Sequence, residues 1–306
     1  MEKVNIQKLQ QEKPIQELLE FSIINVNKPS RITSFGVVEQ IKNILGVTKT
    51  GHFGTLDLKV TGVLPIALGR ACKLCEYFMH HDKVYVGKMH LHSDISEEKL
   101  KQEMEKFNGK IMQKPPVKSA VKRVLRPRTI NKFEITEKDG KTVSFIADVE
   151  AGTYIRKLIS DLGENIGGAH MIELKRIRAG LFKQENSYKI EEIAKAFEIY
   201  KEKKDETKLR EILIPAEIIT EILPVVQVKD NEKTIKDLLN GISLKKQDIE
   251  DEKIPDYELF LVFCKDRFIG IYEKNNEKID EKADEESEEM NEGNKEILAK
   301  AKFVLN

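Results

Sequence analysis

Cysteine is scarce in this chain, with three residues among 306. Three thiols cannot build the disulfide framework that holds small secreted domains together. Cys72 and Cys75 do form a C-x-x-C in "ACKLC", but no second cysteine pair or histidine cluster follows at zinc-finger spacing. Beside Leu74, Tyr77 and Phe78 they read as small side chains on a helix. Long apolar runs are missing as well. None approaches the roughly 18 residues of a membrane span, and "MEKVNIQKLQQEK" carries no apolar export core. The expectation is a protein that is neither secreted nor membrane-bound. No internal repeat is visible. The formal net charge is zero, so bulk charge says nothing about a polyanionic partner, and only its distribution can.

That distribution is uneven. Lys106 to Lys132 holds nine basic residues and no acid, centred on "KPPVKSAVKRVLRPR". A solvated surface would account for some of this, but nine unopposed charges in one run favour a polyanion partner. Residues 273–296, "EKNNEKIDEKADEESEEMNEGNKE", are mostly acidic and nearly free of large apolar side chains. Such a segment buries too little to offset its ordering entropy, so disorder is expected there. A hydrophobic fraction of 40% suffices for real cores, and the length suggests one large domain and one smaller one.

Along the chain, "FSIINVN" (21–27) reads as a strand stopped by Pro29. Thr33 or Ser34 caps "FGVVEQIKNILG", whose Val37, Val38, Ile41, Ile44 and Leu45 recur at helical spacing before Gly46. "KVYVGKMHLH" alternates as a strand. "EEKLKQEMEKFNG" predicts an amphipathic helix ending on Gly109, and "NKFEITEKDGKTVSFIADVE" a hairpin turning at Asp139-Gly140. After Ile214 a small β-rich domain of about 85 residues is expected, with "TIKDLLNG" a short helix and "YELFLVFCKDRFIGIYEK" two strands around Lys265-Asp266.

Two stretches bend local rules. In "GHFGTLDLKVTGVLP" (51–65), Asp57 is the one carboxylate among glycines, threonines and apolar residues. It is either a turn or cap residue, the usual task of an Asp beside Gly, or a reacting group. In "AGTYIRKLISDLG", Thr153 predicts an N-cap and Ile155, Leu158, Ile159 and Leu162 form an apolar face. Arg156 then falls in the first helical turn, where the macrodipole disfavours a cation by several tenths of a kcal/mol. Either it is a surface arginine in a tolerant place or an anion lies nearby, and Asp57 is a candidate.

"KTGHFGTLDLKVTGVLPIALGRACKL" resembles the signature of the TruB-type pseudouridine synthases, whose active-site loop is built around G-H-x-G-T-L-D. "NKPSRITS" before it, and "KVYVGKMHLH", "PPVKSAVKRVLR", "EAGTYIRKLISDLG" and "GGAHMIELKRIRAG" after it, follow the family's order over about residues 14–190. "PPVKSAVKR", "EAGTYIRKL" and "GAHMIELKR" are more similar to the dyskerin branch, the guide-RNA-dependent synthase of box H/ACA particles, and "GVLPIALGRA" to its archaeal members. The resemblance implies an α/β (α+β) catalytic domain with a mixed, largely antiparallel sheet over 21–215. An N-terminal extension (1–20) precedes it, and a PUA-like RNA-binding barrel over 216–306 follows, with the acidic insertion inside it.

Conversion of uridine to pseudouridine breaks the N1–C1′ bond, rotates the uracil and joins C5 to C1′, and needs a carboxylate as nucleophile or as stabiliser and base. By resemblance Asp57 is that carboxylate, Arg156 the guanidinium that keeps it ionised and aimed, and Tyr85 the ring that stacks on the extruded uracil. Tyr154 and Leu174 match pocket walls, and Lys28 and Pro29 a motif beneath the loop. His52 has a structural or substrate-contact role. Lys118, Lys122, Arg123, Arg126 and Arg128 would hold phosphates without reading sequence. His90 and His92 share one strand face and invite a metal reading, but no third ligand stands in register and the family uses no metal; neither metal nor cofactor is expected.

The implied partners are guide RNA, substrate rRNA or tRNA, and small H/ACA accessory proteins, with no membrane, in archaeal-like cytoplasm or a eukaryotic nucleolus. The alternatives are a stand-alone synthase acting on the tRNA T-arm, and an RNA-particle scaffold that has lost catalysis. Four residues depart from the family near the loop: Phe53 for Ser or Thr, Leu58 for Pro, Arg31 for Gly and Phe35 for His. The PUA-like segment also lacks the usual Pro-Gly near "LKKQDIEDEK".

Overall fold

The computed structural model describes residues 4–115, 122–251, 254–275 and 297–306. The chain divides into two compact units, one of Ile15–Ile214 and one combining Met1–Pro14 with Pro215–Asn306. Helix α1 (Ile6–Glu12) belongs to the second, and α2 (Ile15–Glu20) opens the first.

In the larger unit, β1 (Ser22–Lys28) leads to α3 (Ser34–Leu45). The Thr33 hydroxyl accepts the Gly36 amide at the start of α3, and Gly46 ends it in the left-handed conformation at φ 66°, the backbone state only glycine enters without strain. A hairpin of β2 (Thr50–His52) and β3 (Thr61–Leu68) follows, then a 3₁₀ turn (Gly69–Leu74) and α4 (Cys75–Met79), so both cysteines of the C-x-x-C are helical as expected. Next come β4 (Lys83–Leu91), α5 (Glu97–Glu105), β5 (Gly109–Gln113), β6 (Arg126–Asp139), β7 (Thr142–Val149), α6 (Ile155–Ile166), β8 (Ala169–Ala179) and β9 (Phe182–Lys183). Helices α7 (Ile190–Lys203) and α8 (Thr207–Ile212) follow, and the two-residue edge strand β10 (Ile214–Pro215) lies where the larger unit ends.

These strands form one sheet in the order β10-β1-β3-β8-β4-β7-β6-β5, with β2 added to β3 and β9 to β8. Within this sheet the brief β3–β8 pairing is parallel, and β4 runs antiparallel to both its neighbours. The apolar face of α6, Ile155, Leu158, Ile159, Leu162 and Ile166, is buried in the core formed with Met89, Phe133, Phe145 and Val149. This is the mixed, largely antiparallel α/β architecture expected. One boundary differs: α5 stops at Glu105, and Gly109 opens β5 instead of closing the helix. The Phe107 and Asn108 amides turn back onto the Met104 and Glu105 carbonyls, which unwinds the last turn before the glycine.

The smaller unit carries β11 (Val225–Gln227), α9 (Glu232–Leu239), β12 (Leu244–Lys245), β13 (Leu259–Cys264), β14 (Arg267–Lys274) and β15 (Ile297–Val304), in the order β11-β13-β14-β15-β12. Lys265 turns the β13–β14 hairpin at φ 53°. Tyr272 is buried, and its hydroxyl donates to the Leu238 carbonyl at 3.0 Å, tying α9 to the sheet. Of the acidic stretch, residues 276–296 lie outside the described residues.

Candidate active site

Asp57 sits in the segment between β2 and β3, and its neighbours on both sides are held by buried polar groups. The Ser34 hydroxyl, at the start of α3, accepts the Leu56 amide at 2.8 Å and lies 3.1 Å from the Leu56 carbonyl. On the other side the Arg31 amide donates to the Leu58 carbonyl at 2.8 Å. Lys28, fully buried, donates from Nζ to the carbonyls of Pro29 (2.9 Å), Val60 (2.8 Å) and Leu58 (3.4 Å). Burial pushes its pKa down; three carbonyl dipoles are the environment in which an ammonium is tolerated there. The Asp57 carbonyl itself accepts the Val60 amide at 3.0 Å, closing a turn. Asp57 is thus a turn residue through its backbone, which leaves its side chain free for other work.

That side chain meets Arg156. Nη2 of Arg156 donates to Oδ2 of Asp57, and both side chains remain more than half exposed. The cation in the first turn of α6 therefore has its anion, 99 residues earlier in the sequence. An exposed pair adds little to stability; here it orients a carboxylate toward solvent.

Thr153 is not the cap of α6. Its hydroxyl donates to the Glu150 carbonyl at 2.8 Å, and Tyr154 takes the cap position, its side chain not capping the helix. The residue that fixes this helix start is Gln113, buried at the end of β5. Its Oε1 accepts the Tyr154 amide at 2.7 Å and its Nε2 donates to the Tyr154 carbonyl at 3.1 Å. Gln113 sets where Arg156 begins. Nothing in the local sequence marks it.

A second unanticipated residue is Arg176 on β8. Only 1% exposed, it donates from Nε to the Val63 carbonyl (2.8 Å) and from Nη2 to the Gly54 carbonyl (3.0 Å). It spans the two legs of the Asp57 loop, and its carbonyl leaves no room for a side chain at Gly62, whose Cβ would lie 2.2 Å from that oxygen.

The remaining expected residues fall as follows. Tyr85 is buried on β4 opposite Arg176, and Leu174 on β8 lies opposite Gly87, so both belong to the same strand pair. His52 ends β2, its Nε2 3.5 Å from the Thr55 hydroxyl. Lys122 and Arg123 are exposed, and Arg123 donates to the Pro115 carbonyl at 3.2 Å. Arg126 is half-buried at the start of β6. Arg128 is engaged by Glu150 at 3.5 Å, which leaves it less available to phosphate than the others. Lys118 lies outside the described residues.

Two of the departures now have physical roles. Phe53 is 1% exposed and stacks on Phe78 with ring centroids 4.8 Å apart, Phe182 closing the cluster at 5.7 Å, so it anchors the loop base by aromatic packing. Arg31 adopts φ 67°, the left-handed state that suits glycine, at a cost of about 1 kcal/mol. Phe35 and Leu58 are exposed apolar side chains beside the loop.

Residues 42–96 and 92–155 match the TruB family pseudouridylate synthase N-terminal domain, and residues 156–221 the tRNA pseudouridylate synthase B C-terminal domain. Among curated relatives, a "Probable tRNA pseudouridine synthase B" of Methanopyrus kandleri is 46% identical over 221 residues, 72% of this chain and 65% of that protein. One of the same name from Korarchaeum cryptofilum is 43% identical over 241 residues, covering 78% and 74%. The chain thus spans a little under two thirds of the first relative's length. Among solved structures, an H/ACA RNP bound to a substrate RNA containing 2′-deoxyuridine aligns with TM-score 0.80 at 34% identity, over 97% of this chain and 89% of that one. A Cbf5-Nop10-Gar1 complex aligns with TM-score 0.80 at 36% identity, over 96% and 88%.

Proposed function

This chain belongs to the TruB family of pseudouridine synthases, and on that footing we propose that it isomerises uridine to pseudouridine in RNA, with Asp57 as the reacting carboxylate. The observation that carries the reading is the arrangement of the loop. Asp57 is held at Leu56 and at Leu58, backed by Lys28 and Arg176, and contacted by an arginine delivered from another element. A reacting group fixed in this way loses little entropy at the transition state. The N1–C1′ bond of the uridine breaks, C5 joins C1′, the C5 hydrogen leaves as a proton and N1 gains one, so the base is rearranged without change of oxidation level. The Asp57 carboxylate supplies the electron pair, as nucleophile or as base, and the Arg156 guanidinium keeps it anionic and aimed. Tyr85 stacks on the displaced uracil, with Tyr154 and Leu174 as walls and His52 at the loop edge. Lys122, Arg123 and Arg126 contact phosphates.

We propose further that the substrate is selected by a guide RNA of the H/ACA class, with small accessory proteins, the larger unit acting as catalytic domain and the C-terminal strands as a PUA-like RNA contact. Similarity to chains solved in an H/ACA RNP and a Cbf5-Nop10-Gar1 complex supports this. With archaeal relatives, we take the cytoplasm as the place of that work. The names of those relatives favour a second reading, direct modification of tRNA. Release of tritium from RNA carrying 5-tritiated uridine decides between them. The proposal expects slow release by the chain alone, and release faster by orders of magnitude with a hairpin guide ending in ACA and accessory proteins. Fast, guide-independent release at a tRNA T-arm overturns the guided reading and keeps the chemistry.

A further inference from the structure

Three of the chain's six histidines meet at the C-terminal end of β4. In the ladder with β8, His90 stands opposite His170. A residue two places along a strand returns to the same face, which brings His92 beside them. Ring centroids are 5.1 Å apart for His92–His170, 5.4 Å for His90–His170 and 6.4 Å for His90–His92. Nε2 of His92 and Nδ1 of His170 are hydrogen-bonded at 2.9 Å.

The backbone is shaped for this grouping. Lys88 pairs with Glu173 while Met89 pairs with Met171, so Ile172 is the extra residue of a bulge; bulges re-aim the side chains that follow them. The His92 amide donates to the Gly168 carbonyl at 2.9 Å. A Cβ on Gly168 would lie 2.3 Å from Nδ1 of His92, so glycine alone leaves space for that ring.

We propose that His90, His92 and His170 form a binding site for a divalent transition metal of the zinc class, with a fourth position open to water. Imidazole is a common ligand of such ions, and three protein ligands with one open position is a recurrent zinc arrangement. Nitrogens 2.0–2.1 Å from a tetrahedral ion stand about 3.3 Å apart, and the ring centroids behind them about 5.2 Å apart. Two of the three centroid separations already match. As they stand, no three His, Cys, Asp or Glu side chains among the described residues are placed to hold a metal ion; closing this site requires the His92–His170 hydrogen bond to open by about 0.4 Å and the His90 ring to swing toward His92 by roughly 1 Å, on the scale of a rotamer adjustment. His92 and His170 are exposed and His90 half-buried, so an ion reaches them without unfolding. Beside this cluster Lys141 donates to the His92 carbonyl at 3.2 Å and is partly balanced by Asp94 at 3.7 Å. Bound metal ties the end of β4 to the start of β8, across the Gly167-Gly168 turn.

The test uses the full chain without a histidine tag, stripped with a chelator and dialysed against zinc, followed by elemental analysis and thermal unfolding. His170→Gln and His90→Gln remove ligands, and Cys72→Ser/Cys75→Ser removes the competing thiol pair. One zinc per chain is expected for the wild type and for the cysteine variant. Each histidine variant should lose at least the roughly tenfold in affinity that removal of even an outer partner costs. Zinc should raise the unfolding midpoint of the wild type and leave that of His170→Gln unmoved. Cobalt substituted for zinc should give a tetrahedral visible spectrum without a thiolate charge-transfer band. No retained zinc, equal retention by the histidine variants, or loss of zinc in the cysteine variant overturns the site.

Discussion

Replacing Arg176 with Met tests whether the Asp57 loop is held from below. The side chain is almost fully buried and contributes two charge-assisted bonds, at 2.8 Å to Val63 and 3.0 Å to Gly54. Each such bond contributes about 1.5–3 kcal/mol, and its loss strands a buried carbonyl. Relief of the buried guanidinium offsets part of this, since buried charge is itself costly. The net expectation is a loss of about 3 kcal/mol. With a urea dependence of roughly 2–3 kcal/mol/M, the unfolding midpoint of the larger unit falls by about 1 M. Because Gly54 and Val63 flank Asp57, single-turnover isomerisation should slow by at least about tenfold, or roughly 1.4 kcal/mol of transition-state stabilisation, with RNA affinity within a few-fold. Arg176→Lys should recover part of the stability through one retained bond and less of the rate, since an ammonium cannot span both legs. A midpoint shift well under 0.5 M together with wild-type turnover would refute the clamp, because two buried bonds cannot be removed at so small a cost.

Lys83, buried at the start of β4, has its pKa pushed from 10.5 down to about 8, first by burial and then by the Arg176 guanidinium. Between those values the folded chain has released a proton that the unfolded chain still holds, so this group makes stability rise with pH across that window by up to about 1.4 kcal/mol per unit. Lys83→Met should remove that rise in paired urea titrations, and an unchanged slope contradicts the burial. Cys72 has its pKa lowered, chiefly by a hydrogen bond with Cys75, whose own pKa is pushed up by the same bond and by burial. Peptide mapping after brief iodoacetamide treatment near neutral pH should therefore find Cys72 labelled ahead of both Cys75 and Cys264, whose pKa values are raised; equal labelling of Cys72 and Cys75 refutes the pairing. Replacing Lys122, Arg123 and Arg126 together with Gln should flatten the slope of log affinity against log salt by roughly two units for all RNAs alike, while an unchanged slope means these side chains do not reach the backbone.

What the sequence made legible, and what it hid, divides by the distance over which residues act. Thr33 and Gly46 delimit α3 because capping and left-handed termination are local chemistry. The Asp139-Gly140 turn and its hairpin were legible for the same reason. Arg156 announced a distant partner only by standing against the helix dipole, and Asp57 answered it. Gln113 and Arg176 gave no such sign. Each bonds to backbone carbonyls or amides 41 to 122 residues away, and a carbonyl partner leaves no trace in side-chain identity. His170 was hidden likewise: it stands beside His90 only through the β4–β8 register and a bulge. Thr153 illustrates the converse, a good capping residue whose hydroxyl is taken by Glu150 while Gln113 does the fixing from another strand.

The measurement that bears most directly on this account is single-turnover isomerisation by Asp57→Asn, in the assembled particle with guide and 5-tritiated substrate RNA. The substitution keeps the size of the side chain and the turn formed by the Asp57 carbonyl with Val60, and removes only the negative charge that faces Arg156. The account predicts RNA affinity within a few-fold of the wild type, an unchanged fold by circular dichroism, and no tritium release above background. Sustained release by pure Asp57→Asn protein would contradict it, because a neutral amide cannot supply the electron pair assigned to the carboxylate.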